Sequence, residues 1–170
     1  LHQIPHTPYY GTADATALYL IVLHEAWKWL GDRDLLREFR DTAVRCLEWI
    51  NQFGDLDGDG FQEYQTRSPQ GYENMGWKDA SDAVVYPDGT LVRGPKALCE
   101  LQGYTFDAWM RSAELFDVLA EPEQAAALRA KAARPRRPGC GGTGTPSQIA
   151  SVATCFSTPR APSRWAGSPC

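Results

Sequence analysis

The chain has 170 residues, room for one ordinary domain, and its 43% hydrophobic and 22% charged residues form a globular balance that excludes fibrous and fully disordered classes. The net charge of −4 argues against a general nucleic-acid binder, which would be basic. The longest apolar run, Ala15 to Leu23 broken only by Thr16, falls far short of the ~20 residues a membrane-spanning helix needs.

In chain order, Asp14 or Thr12 can cap a first helix that runs to about Leu30 and stops at Gly31. Its first half is apolar nearly all round, which predicts a helix buried on every side. Asp32 can cap a second helix to about Phe53, with Gly54 as its stop. Its stripe of Leu35, Phe39, Ala43, Cys46, Leu47 and Ile50 is one-sided, so the pair reads as one inner and one outer helix. His24 is expected in the core, and Trp27 and Trp29 are expected to pack. Residues 54–95 then hold seven Gly and three Pro, with a short strand predicted at Phe61–Gln65. A loop this long inside a compact domain is usually functional. Gly94-Pro95 is expected to open a third helix, striped by Leu98, Leu101, Thr105, Ala108, Ser112, Leu115 and Leu119. A fourth helix starts at Pro122 and ends at a composition change near residue 133.

That change divides the chain. Residues 1–133 hold all 21 acidic residues against 12 basic ones, whereas residues 134–170 hold five Arg, no acid and no Leu. The later segment cannot bury enough apolar surface to offset its ordering entropy and is expected to be disordered. Its Arg/Pro/Gly/Cys mixture, begun abruptly in mid-helix, has the look of an out-of-frame translation, and a basic tail for an acidic partner is the alternative. The five cysteines, odd in number and without a C-x-x-C pair, suggest neither a disulfide framework nor a zinc site. No basic-then-apolar leader pattern is visible, so a cytoplasmic location is expected.

Two loop motifs carry chemistry. Asp55-Leu56-Asp57-Gly58-Asp59-Gly60 alternates the carboxylates that hard cations prefer. Thr66 stands where an EF-hand needs a bidentate acid, which rules that motif out. A structural calcium held by Asp55, Asp57, Asp59 and the Phe61 carbonyl remains, beside a plain Asp/Gly turn. The second motif, Gly71 to Asp82, collects Tyr72, Glu73, Trp77, Lys78, Asp79 and Asp82 in a glycine-rich loop. Sugar sites stack pyranose faces on Trp and offer carboxylates to hydroxyls. Glycosidic cleavage also needs a carboxylic acid for the leaving oxygen. A polar surface loop fits the same residues.

Four segments occur in order: Tyr9-Tyr10-Gly11-Thr12-Ala13-Asp14-Ala15-Thr16, Asp57-Gly58-Asp59-Gly60-Phe61, Gly76-Trp77-Lys78-Asp79-Ala80-Ser81-Asp82 and Ala97-Leu98-Cys99-Glu100-Leu101-Gln102-Gly103-Tyr104. Together they resemble the bacterial amylo-alpha-1,6-glucosidases, glycogen-debranching-like glycosidases of the trehalase-like clan, over residues 8 to about 130. The third segment also resembles the Gly-Trp-Asp-Phe-Ser signature of trehalases, with Lys78 as an insertion, and this implies that Asp79 is the general acid. The resemblance implies an all-α fold: a partial (α/α)6 toroid of about two helix pairs, a long active-site loop and an oligosaccharide substrate over the inner-helix ends. It further implies an inverting α-glucoside hydrolase in which Asp14 binds glucose hydroxyls and Tyr10 and Trp77 stack. Lys78, Asp82, Glu100 and Gln102 would complete the subsite, although Glu100 also fits a plain helix surface. The base would come from a late helix–helix loop; no residue here is named for it, and the chain by itself is expected to be inactive. Lys96 stands where an apolar residue is expected. A small calcium-dependent binding module built on the Asp55–Asp59 loop and the tail is the competing reading.

Overall fold

The computed structural model describes residues 11–66, 71–78, 80 and 82–134. It contains four helices: α1 (Ala15–Leu30), α2 (Arg33–Phe53), α3 (Cys99–Val118) and α4 (Pro122–Ala133). The described residues are thus helical, with only two isolated β-bridges, Tyr64 with Lys96 and Val85 with Leu91. No helix among them is long and apolar enough to cross a membrane. The expectations for the tail beyond Arg134 lie outside the described residues.

Local chemistry sets the helix ends. Thr12 serves α1, because its Oγ1 accepts the Ala15 N–H at 3.2 Å, while Asp14 occupies the cap position without a capping bond. Gly31 ends α1 at φ 68°, a left-handed conformation that suits glycine. Asp32 then caps α2 by accepting the Asp34 N–H at 2.8 Å. The third helix departs from expectation. It begins at Cys99, because Lys96 is drawn into the bridge to Tyr64 and the backbone stays extended through Leu98. The strand predicted at Phe61–Gln65 shrinks to Tyr64 alone for want of a further partner.

The helices form two antiparallel hairpins, α1–α2 and α3–α4, laid side by side. Ala13, just before α1, packs with Leu101 in the first turn of α3, and further along His24 Nε2 meets Glu114 Oε2 at 2.8 Å. The inner helices α1 and α3 therefore run parallel. The returning helices are tied in the same sense. Arg40 of α2 grips Glu121 at the start of α4 through Nε (2.5 Å) and Nη2 (2.7 Å), and Asn51 accepts from Lys131 at 2.7 Å. Leu20, Leu36, Leu47, Ile50, Phe116 and Leu128 fill the core between the hairpins. Burying one such side chain contributes roughly 1.5–3 kcal/mol.

Two expectations about α1 fail. Among the described helices α1 meets only α2 and α3, and Val22 and Leu30 are exposed and Trp29 is 87% exposed. Trp27 does pack, edge-on to His24 with ring centroids 5.6 Å apart.

Candidate functional site

The long connection between the hairpins gathers at the end where α1 and α3 begin. Ala13 N–H donates to the Met75 carbonyl at 2.8 Å, fastening the glycine-rich loop to the start of α1. Tyr64, Met75 and Leu98 close around Ala13 and Leu101 in a small second core. Gly76 lies so close to α3 that a Cβ there would stand 2.6 Å from Leu98 Cδ1. Two helix starts and one loop thus share a single surface.

On that surface Trp77 is 59% exposed. Its indole lies near the Glu100 carboxylate. Lys78 Nζ stands 3.4 Å from Glu100 Oε1 and 5.4 Å from the Trp77 ring centroid. Partial burial pushes the Glu100 carboxyl up, but hydrogen bonds from Cys99 and its own backbone N–H, with the nearby Trp77 indole and the Lys78 charge, bring it below the ordinary range. Glu100 is thus an acceptor at neutral pH rather than a proton donor. Asp14, half-buried, is held by the Thr12 hydroxyl. An exposed aromatic ring beside the Glu100 acceptor is chemically suited to a polyhydroxylated ring.

The other expected residues divide. Asp82 is exposed. Tyr10 and Asp79 lie outside the described residues. Gln102 is fully buried: Oε1 accepts the Gln62 N–H (2.8 Å), while Nε2 donates to the carbonyls of Gln62 (2.6 Å) and Leu98 (3.1 Å). It supports the site from beneath rather than facing a ligand. His24 is a core residue held by Glu114 and Arg111.

The acidic loop arranges itself differently from expectation. Carboxylate oxygens of Asp55, Asp57 and Glu63 lie within 4.8 Å of one another, a group that could hold a metal ion. Asp59 instead turns its Oδ1 to the Phe61 N–H at 2.8 Å. Asp55 accepts the N–H groups of Gly58 (2.7 Å) and Gly60 (3.0 Å), which bends the loop back toward Glu63. Burial, with Asp57, Asp59 and Asp55 nearby, pushes the Glu63 carboxyl up against the N–H of Leu56. Glu63 was not expected here, yet its spacing carries a signal. It continues the alternation Asp55, Asp57, Asp59 at the ninth position of the loop, where hard-cation loops often place a ligand.

Lys96, expected to be apolar, is a lysine only 4% exposed. Its Nζ reaches Glu73 Oε2 (3.0 Å) and the carbonyls of Glu73 (3.1 Å) and Gly94 (3.4 Å), and lies 5.7 Å from the Tyr64 ring centroid. Comparison with family models, with curated proteins and with solved structures returns no match.

Proposed function

We propose that the chain is part of an inverting glycoside hydrolase acting on α-glucosides of the glycogen or malto-oligosaccharide type. The observation that carries this reading is the meeting of Trp77, Lys78 and Glu100 with the start of α1 on one open surface. Parallel inner helices with returning outer helices are also the repeating unit of an (α/α)6 toroid, whose substrates lie over the inner-helix ends. In this reading Trp77 stacks on a pyranose face, and Glu100 and Asp14 accept hydroxyl hydrogen bonds. Asp79 protonates the glycosidic oxygen as the bond to the anomeric carbon breaks, and water attacks the opposite face. Inverting chemistry requires a base roughly 6.5–9.5 Å from that acid, and no residue of this chain is assigned to it.

The test uses the chain joined in frame to the remaining helices of the toroid, with α-glucosides of good and poor leaving groups. Asp79→Asn should lower the rate on a poor leaving group by about 10²–10⁴-fold. It should spare an aryl or fluoride leaving group, which needs little protonation. Asp82→Asn should leave that ratio unchanged. The reverse pattern would move the acid to Asp82, and no effect from either would remove it from this loop.

The convergence of Asp55, Asp57 and Glu63 favours a second, compatible reading: the loop after α2 holds a structural calcium.

A further inference from the structure

A buried lysine is costly. Its charge leaves water, and a carboxylate partner returns only part of that loss, so an apolar side chain of similar size often serves stability as well or better. In some proteins such a pair is kept for the geometry it imposes. Lys96 occupies such a place. It lies in the extended segment ahead of α3, and its bridge to Tyr64 fixes its backbone on both sides (Tyr64 N–H to Lys96 O, 3.1 Å; Lys96 N–H to Tyr64 O, 2.9 Å). From that anchored backbone the ammonium engages both the side chain and the main chain of Glu73. Glu73 lies four residues before Trp77. A second bond, from Ala13 to Met75, holds the same stretch from the α1 side.

We propose that Lys96 is a positioning residue for the exposed loop: acting through Glu73, it sets the Trp77 indole and the Lys78 ammonium against Glu100. A methionine or leucine at 96 would fill the space but give the Glu73 carbonyl and carboxylate nothing to hold. The start of α3 and the loop would then lose the contact that fixes their spacing. The assignment of this loop to a sugar rests on the proposed function; the positioning itself does not.

The experiment separates the two. In the ¹⁵N-labelled full chain, the six indole N–H signals are recorded, and that of Trp77 is identified by its loss in Trp77→Phe. In Lys96→Met and in Glu73→Gln the Trp77 signal should move toward that of a water-exposed indole, while the signal of Trp109, buried within α3, stays in place and reports an intact fold. Glu73→Gln is the milder change, since Glu73 is part-exposed, and it stands alone if Lys96→Met does not fold. The double variant Lys96→Met/Glu73→Met removes both charges at once. A merely structural pair predicts that this double variant restores the Trp77 signal; the positioning role predicts that it stays displaced. An unmoved Trp77 signal in a folded Lys96→Met or Glu73→Gln, or full restoration in the double variant, overturns the proposal. Maltose titration then follows, with affinity expected to fall about tenfold in the variants. If maltose binds none of the proteins while the Trp77 signal moves as expected, the sugar reading fails and the positioning role stands.

Discussion

At the scale of single residues, the two hairpin turns make the same demand and meet it differently. The α1–α2 turn uses Gly31 at φ 68°, and the α3–α4 turn places Ala120 at φ 62°, the sole non-glycine residue with positive φ among those described. A Cβ in the left-handed region costs roughly 1–2 kcal/mol, and glycine avoids that cost while losing more freedom on folding. Ala120 is exposed, so replacement removes no packing. Ala120→Gly is therefore expected to stabilise the protein by about 0.5–1 kcal/mol in urea unfolding. A midpoint that falls would show that the turn is not strained. Gln102 illustrates the opposite economy, since one buried amide satisfies both backbone groups of Gln62.

At the scale of elements, the loop after α2 is where a cation has consequences. Bringing Asp55, Asp57 and Glu63 together concentrates negative charge that a divalent ion offsets. Calorimetric titration with calcium should give one site, and calcium at a hundred times its dissociation constant should stabilise the fold by about 2.7 kcal/mol. Glu63→Gln should weaken binding about tenfold, while Asp59→Asn, whose carboxylate is turned to Phe61, should change it far less. Absence of heat at millimolar calcium would leave the loop as an Asp/Gly turn. The helices themselves were legible in the sequence because their signals are local. Gly31, Asp32, Gly54 and Pro122 each mark an end through conformation or capping, and the structure puts ends there. The start of α3 was not legible. Gly94-Pro95 resembles a helix opening, but Lys96 answers to Tyr64, a partner 32 residues away that no local pattern names. Glu63 and Lys96 were missed for the same reason: their roles come from groups brought near by tertiary folding, not from periodicity. Trp29 was misjudged because pattern alone does not say how many neighbours a helix has.

At the scale of the whole molecule, the two hairpins are joined by the core between α1 and α3 and by side-chain ties across the outer layer. The strongest tie is the two-toothed grip of Arg40 on Glu121, backed by Lys131 on Asn51. The Arg40 hydrogen bond holds the Glu121 carboxyl below its ordinary value, against partial burial and the nearby Asp41, with the Arg40 charge adding to it. The unfolded chain therefore binds that proton more readily than the folded one. The tie contributes fully above the ordinary glutamate value of about 4.3 and is lost as pH falls through the lower folded value. Melting temperatures recorded from pH 7 to pH 3 should fall more steeply at the acid end in the native chain than in Glu121→Gln, which should already melt a few degrees lower at pH 7. Parallel acid limbs in the two proteins would mean that the grip adds nothing to stability.

The parallel course of α1 and α3 has an electrostatic consequence. Aligned peptide dipoles make each helix N-terminus equivalent to roughly half a positive charge, and here two such ends open onto the same surface. That field favours carboxylates in their ionised form at the helix starts, which suits Glu100 as a permanent acceptor. It works equally against storing a proton there. In the proposed reading, a group that must arrive protonated at a glycosidic oxygen is better carried outside a first helical turn, and in sequence Asp79 falls between α2 and α3. The same field draws anions, so chloride, sulfate and phosphate would compete with any acidic ligand at this end of the molecule while leaving a neutral sugar untouched.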